Sequence, residues 1–443
     1  MDRAQLHPMF RLMPDQWAIV RIDDLFNVEQ GKQVSARRRA GDRQRPFLRT
    51  KNVYWGRLDL TELDAMHFSA EDEQRLRLQP GDLLTCEGGW VGRTAMWNGE
   101  APDCLYQNHL HRLRRLSEDS DPQFALYWLW YAFEIGEVYF GRQNVTTIPN
   151  LSKSRLSELP MPSPKPAEQR QIARVLSAVQ RAIERQERLI ALTTELKKAL
   201  MHKLFTEGTR GEPLKQTEIG PVPESWDVAE LKTRCRVHTG FAFKSDDYVR
   251  AEEGLPIVKI GDLQDEEVRF SERSSYVPKR FWDEPRFYQY RLHNGDLLIA
   301  LTGATTGKIG EVNFHTPALL NQRVGRFQPD EHRLLSPFHK FLVQQPYFQR
   351  SIQTNILVAA QGNISPKSIE RFLVALPKPD EQKLIAEVLL AADGRGSAAK
   401  SIKNTLCDAF RSLLHQLMTA QIRVHDLDLS ALDEPAAEPA EVA

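Results

Sequence analysis

Four cysteines in 443 residues are too few for a disulfide framework, and Cys86, Cys104, Cys235 and Cys407 show no metal-ligand spacing. No apolar run approaches the roughly 20 residues that a membrane-crossing helix needs. The opening stretch MDRAQLHPMFRLMPDQW holds no apolar core, so no signal peptide is expected. Charge of one sign is also missing: 59 Lys and Arg balance 59 Asp and Glu. That balance excludes a uniformly basic nucleic-acid coat and leaves local basic patches open. The catalytic signatures are absent as well. There is no GxxxxGKS/T loop, GxGxxG, HExxH, CxxC, GxSxG elbow or Asn-Pro-Pro-Tyr/Phe motif. The reading at this point is a cytoplasmic, reduced protein of two to four domains that binds rather than catalyses.

What is present is a large internal repeat. Asn150-Leu-Ser-Lys-Ser-Arg-Leu-Ser-Glu-Leu-Pro160 is echoed by Asn363-Ile-Ser-Pro-Lys-Ser-Ile-Glu-Arg-Phe-Leu373. Pro166-Ala-Glu-Gln-Arg-Gln-Ile-Ala-Arg-Val-Leu176 is echoed by Pro379-Asp-Glu-Gln-Lys-Leu-Ile-Ala-Glu-Val-Leu389. Both lie at an offset of 213 residues. Gly81-Asp-Leu-Leu84 matches Gly295-Asp-Leu-Leu298, and Gln107-Asn108 stands where Asn321-Gln322 does. Trp17, Ile22, Val28 and Gly31 match Trp226, Leu231, Val237 and Gly240. The order is a mixed domain, a long helix, a second mixed domain and a second long helix. Two units are too few for a solenoid, so a pseudo-two-fold duplication is expected.

The helices are the clearest elements. From Pro166 to about Phe205 there is no internal Pro or Gly. Pro166 suits the first helical position, and Glu168 lies where the helix dipole favours an anion. The apolar stripe is Ile172, Leu176, Val179, Ile183, Ile190, Leu196, Leu200 and Leu204. The partner stripe is Ile385, Leu389, Ala392, Ile402, Leu406, Leu413 and Leu417. Gly394 and Gly396 predict a bend or fraying there. At ~1.5 Å per residue the first helix spans about 60 Å, and one apolar seam of that length calls for another helix against it. The two are expected to pack antiparallel.

Within the mixed domains, strands are predicted over 47–53, 82–86, 255–261 and 296–301, and helices over 124–139 and 337–352. Residues 209–224 read as a Pro/Gly-rich linker. The tail from Val424 carries six acidic residues and no Lys or Arg, and is expected to be disordered. The partition is therefore 1–165, first mixed domain; 166–207, central helix; 208–378, linker and second mixed domain; 379–420, C-terminal helix; 421–443, acidic tail.

The positive functional signal is basic and amide-rich. Residues 31–51 carry eight Lys or Arg against one Asp. Lys32, Arg37, Arg38, Arg39, Arg43, Arg45 and Lys51, with Asn52, are candidates for phosphate contact or for the two-pronged arginine readout of guanine. Gln107, Asn108 and His109, with Arg142, Gln143 and Asn144, supply amides suited to adenine, and Arg93 stands beside them. The second repeat offers Lys244, Lys259, Thr302, Thr305, Lys308, Asn321, Gln322, Arg323, Gln361 and Asn363. Thr302-Gly-Ala-Thr-Thr-Gly-Lys308 lacks phosphate-loop spacing and reads as a structural turn.

The duplicated Pro-x-Glu-Gln helix starts, the GDLL strands, the Asn/Gln pairs and the Asn-Leu/Ile-Ser segments together resemble the specificity subunit of type I restriction–modification systems. The match runs from about Trp17 to Leu417. The resemblance implies an α+β fold: two similar mixed α/β target recognition domains separated by two long antiparallel helices. Each domain would read half of a bipartite target on double-stranded DNA, and the helices would set the gap. Two modification subunits carrying S-adenosylmethionine would dock on the chain, and restriction subunits using ATP and Mg would join them. The chain itself would bind no cofactor or metal and would be non-catalytic. Half-sites about one turn apart, ~34 Å, would lie on one face of the duplex. An unrecognised nuclease and a coiled-coil scaffold are the alternatives. Metal-dependent cleavage by the pure chain would mark the first, and absence of sequence-dependent DNA binding the second.

Overall fold

The computed structural model describes residues 1–34, 41–139, 150–358 and 362–430. It divides into two compact units. The first holds Met1–Arg188 with Lys400–Ala443, and the second holds Leu189–Ala399. The division passes through both long helices, so each unit owns one mixed domain and half of each helix.

The mixed domain of the first unit is built on a four-stranded antiparallel sheet. Its order is Phe26–Gln30, Leu110–Arg115, Leu83–Cys86, Thr94–Met96. In the second unit the same order recurs as Cys235–Thr239, Val324–Pro329, Leu297–Ala300, Ile309–Glu311, extended by Glu266–Val268 and Leu263–Gln264. A second sheet places Gln44–Leu48 between an antiparallel strand, Asp64–His67, and a parallel one, Leu105–Tyr106. Its counterpart places Gly254–Val258 between Ser275–Pro278 and Leu319–Leu320. In each unit a two-stranded ladder, Ala18–Arg21 with Pro160–Ser163 or Asp227–Glu230 with Leu373–Leu376, joins the chain's entry to the strand before its long helix. The GDLL strands are buried along their whole length, as central strands covered on both faces must be.

The first long helix runs over Pro166–Glu207 and the second over Pro379–Met418. Within the first unit, Ile172 and Leu176 share a core with Phe410, Leu414, Leu417 and Met418, and Glu187 pairs with Lys403 at 2.9 Å. Within the second unit, Leu200, Leu204 and Phe205 share a core with Ile385 and Leu389, and Lys197 pairs with Asp393 at 2.7 Å. In both units residue numbers fall along one helix as they rise along the other, which is antiparallel packing. Val179, Ile183 and Leu413 pack on the first unit's core, and Ile190 and Leu406 are half-buried.

Five expectations need correction. Leu196 and Ile402 are 48% and 49% exposed and do not belong to the seam. Near the middle of the pair the contact is made by small side chains instead: Thr193, Ala392 and Ala399 are buried, and a Cβ on Gly396 would meet Thr193. The glycines at 394 and 396 sit inside a continuous helix, Gly394 with open space beside it and Gly396 with room for ordinary contact with Thr193. The 209–224 linker contains a hairpin, Leu214–Thr217 with Gly220–Pro223, turned by Gly220 at φ +111°. The helix predicted over 337–352 is two helices, Ser336–Val343 and Pro346–Val358, and Pro346 begins the second. Finally, the start of the acidic tail is folded: Val424 is buried, and Leu427 and Leu429 pack on the first unit's core. The rest of the tail, 431–443, lies outside the described residues. No helix among the described residues is long and apolar enough to cross a membrane.

Candidate nucleic-acid interface

Three loops converge in each unit, joined by the same backbone hydrogen bonds. In the first, Glu87 N–H donates to the His109 carbonyl at 2.9 Å, and Leu151 N–H donates to the Glu87 carbonyl at 2.8 Å. In the second, Leu301 N–H donates to Arg323 and Ile364 N–H to Leu301, at 3.0 and 2.9 Å. The turn after the GDLL strand, the Asn/Gln segment and the Asn-Leu/Ile-Ser segment are thus gathered at one end of each central sheet. A crossing of two strand ends fixes them further. Gly31 N–H donates to Leu110 and Gly240 N–H to Val324. A Cβ at Gly31 would lie 2.2 Å from the Gln107 carbonyl oxygen, and one at Gly240 would lie 2.1 Å from that of Leu320. Only glycine passes there, which explains the repeated Val-x-x-Gly spacing.

This convergence brings together Arg93, Asn108 and His109 in the first unit, and Thr302, Thr305, Lys308, Gln322, Arg323 and Asn363 in the second. His109 and Asn363 are exposed, as are Lys308, Gln322 and Arg323. His109 Nδ1 lies 3.3 Å from Glu87. The hydroxyls of Thr302 and Thr305 are buried without a partner among the described residues, while Gly303, Ala304 and Lys308 are exposed. Arg37, Arg38, Arg39, Arg142, Gln143, Asn144 and Gln361 lie outside the described residues.

Other candidates are spent on structure. Asn52 is buried: its amide donates to the carbonyls of Asp59 and Glu62, and its oxygen accepts from Arg49 N–H at 2.9 Å. Gln107 and Asn321 are buried at the strand crossing, and Asn321 accepts from its neighbour Arg323 N–H. These three are withdrawn as base readers. Five of the eight cations in 31–51 meet carboxylates from outside that stretch. Lys32 pairs with Asp72, Arg43 and Arg45 with Glu73, Arg49 with Asp64 at 2.7 Å, and Lys51 with Glu62 at 3.6 Å. Burial opposes ionisation of Asp72, but the Lys32 ammonium and Ser69 outweigh it and hold the carboxyl at about 2. Hydrogen bonds from Arg43, and then Arg45, hold the Glu73 carboxyl below its usual range. Lys244 is exposed, and Lys259 donates to Ser275 at 2.7 Å beneath the Tyr248 ring.

Sequence reasoning missed the residues that lock each domain to its helices. Gln169 accepts from Asp121 N–H and donates to the carbonyls of Asp119 and Pro164. Gln382 accepts from Leu335 N–H and donates to the carbonyls of Arg333 and Pro377. The preceding glutamates clasp the segment that follows the other helix. Glu168 accepts from Arg423 at 2.8 Å and from the Trp17 indole at 3.2 Å. Glu381 accepts from Thr209 at 2.9 Å, with Arg210 3.4 Å away. The signal was available, because Arg210 and Arg423 also lie 213 residues apart. Burial pushes the thiols of Cys86, Cys104 and Cys235 up to about 12, which makes them poor nucleophiles at neutral pH.

The family profile described as the type I restriction modification DNA specificity domain matches residues 14–194 and again 223–406. The MjaVIII specificity subunit of Methanocaldococcus jannaschii is 26% identical over 423 residues, covering 94% of this chain and 95% of its own length. The EcoBI specificity subunit of Escherichia coli is 25% identical over 211 residues, covering 47% of this chain and 41% of its own. Among solved structures, the type I S subunit from M. genitalium superposes with a TM-score of 0.60 at 18% identity, over 90% of this chain and 96% of that one. A chain from a study of type I R-M complex assembly and conformational transition gives 0.50 at 15%, over 93% and 99%. These structural likenesses carry the fold; the twofold profile match over most of the sequence carries the family. The chain belongs to the family of type I restriction–modification specificity subunits, with the DNA specificity domain present twice.

Proposed function

We propose that residues 1–165 and 208–378 are two target recognition domains, each reading one half of a bipartite sequence in double-stranded DNA. The observation that supports this most is the three-loop convergence, repeated bond for bond in both units with different side chains on it. A shared scaffold with divergent tips suits two half-sites of different sequence. The helix pair 166–207 and 379–420 acts as the spacer that fixes the gap. Leu189, Leu192, Leu196, Leu384 and Leu390 remain exposed on the second unit's helix halves, an apolar surface suited to docking protein.

In this reading the chain is a non-catalytic cytoplasmic subunit. Two modification subunits bind it and bring S-adenosylmethionine for adenine methylation, and restriction subunits add ATP- and Mg-dependent cleavage. The test is methylome sequencing of host DNA with and without this chain, the other subunits held constant. Loss of adenine methylation at one split motif with a fixed gap is the expected result. An unchanged methylome, in cells where a pull-down shows a bound methyltransferase, would defeat the reading.

A further inference from the structure

We propose that Trp90 is a base-stacking contact of the first recognition domain, flanked by two phosphate-binding guanidinium groups, and that the second domain has no equivalent. This rests on the DNA reading above and assigns its chemistry to particular residues.

Trp90 stands at the tip of the turn that follows the GDLL strand. The turn is held rigidly. Cys86 N–H donates to the Arg93 carbonyl at 2.8 Å, Gly92 N–H to Cys86 at 3.0 Å, and Arg93 N–H to Trp90 at 3.1 Å. Thr94 donates to the Gly92 carbonyl at 2.8 Å. Gly89 and Gly92 take φ of +74° and +83°, and a Cβ on Gly92 would strike the Phe133 ring at 2.5 Å. On this fixed tip the indole is 62% exposed, an unusual cost for a tryptophan unless a partner covers it.

Behind the indole lies a ladder of alternating rings and cations. The Arg93 guanidinium is 3.9 Å from the Trp90 ring centroid and 5.3 Å from that of Tyr54. Arg57 is 5.3 Å from the same Tyr54 ring. Arg93 covers one indole face and leaves the other for a ligand. Neither Arg57 nor Arg93 forms an ion pair with a carboxylate among the described residues, whereas Lys32, Arg43, Arg45 and Arg49 all do. An exposed flat ring beside guanidinium groups held in no direct ion pair is complementary to a polyanion that carries flat apolar faces, which describes nucleic acid better than an apolar protein groove. A rigid tip also loses little entropy on binding.

The second unit has a turn one residue longer, and no ring stands on it. Gly303 and Gly307 take left-handed conformations at φ +83° and +89°, Ala304, Thr305 and Thr306 fill the stretch between them, and Lys308 stands in the place of Arg93. Stacking is therefore confined to one half-site.

The test uses the chain assembled with its modification subunits and duplexes bearing the methylome-defined target, with 2-aminopurine placed at successive positions of each half-site. The wild type should bind the target specifically and change the fluorescence of a probe in one half-site only. Trp90→Ala should abolish that change and weaken binding on the order of ten- to a hundredfold, while Trp90→Phe, which keeps a ring, should stay within about threefold. Trp90→Ala with wild-type affinity and an intact fluorescence change would overturn the proposal and leave bipartite recognition standing. Trp90→Ala that loses its modification subunits, while the chain alone binds DNA as before, would reassign the tip to protein docking. A wild-type complex with no sequence preference would remove the DNA reading itself, and this inference with it.

Discussion

The two units share a backbone plan and differ in what fills it. In the first, Arg114 donates from Nε and Nη2 to both oxygens of the buried Asp82, each at 2.7 Å. In the second, strand register puts Gln328 in the place of Arg114, and Asp296 meets a single guanidinium contact from Arg326 at 3.3 Å, with the His293 N–H donating to it at 2.8 Å. Nearby, Met96 and Leu126 of the first core are replaced by Glu311 and Lys340, paired at 2.8 Å. The second unit is left with a cavity of about 620 Å³ lined by Asp296, Glu311, Arg326, Gln328, His339 and Lys340. Interior exchanges of this kind are tolerated when charges change in compensating pairs. The backbone hydrogen bonds at the loop convergence and the glutamine locks were kept in both units. What the duplication preserved is the frame that presents the loops.

If the frame is shared, damage to it should be symmetric. Gln169→Ala and Gln382→Ala each strand three backbone groups, one fully and two partly buried, and open a void, so each should cost about 3 kcal/mol in urea unfolding of the unit concerned. A large loss in one and none in the other would break the equivalence of the locks. Gly31→Ala and Gly240→Ala place a methyl against a carbonyl at the strand crossing, and each should cost about 3 kcal/mol by the same measurement.

Where the units differ, the effects should be one-sided. Asp72 is held at about 2 against an ordinary 3.8. Its lowered value means that the Lys32 pair contributes stability above about pH 4, lost as pH falls through about 2. Asp72→Asn should therefore remove about 2 kcal/mol at neutral pH and flatten acid denaturation of the first unit between those limits. Phe241 stands where Lys32 does, so the second unit lacks this step. The smallest effect sharpens the cavity comparison. Gln328→Arg restores the first unit's ion pair and should stabilise the second unit by about 1 kcal/mol, read as a raised melting temperature; a lowered one would show that the cavity geometry rejects the guanidinium.

The duplication and both helices were legible in the sequence because their signals are local or periodic: Pro166 and Pro379 at the starts, and Ile172 with Leu176 echoed by Ile385 with Leu389. The middle of the helix pair was not. A search for large apolar residues selects Leu196 and Ile402, whereas the contact belongs to Thr193, Ala392 and Gly396. The surroundings of the basic stretch were not legible for a related reason. Counting charges along 31–51 cannot register Asp64, Asp72 and Glu73, which folding brings back to it. The loops could be grouped by their repetition, but the burial of Asn52, Gln107 and Asn321 is set by strand crossings that no local pattern announces. Trp90 escaped notice because the second copy's turn, Gly303–Gly307, carries no ring, and pairing matched residues passes over what one copy has alone.

The central claim is that two readers are held at a distance fixed by the helix pair. One heptad inserted into each helix, between Ile190 and Leu200 and in the facing stretch 391–400, lengthens the pair while keeping its register. Methylome sequencing should then show the same two half-sites with an altered gap. Altered half-sites at the original gap would contradict the account.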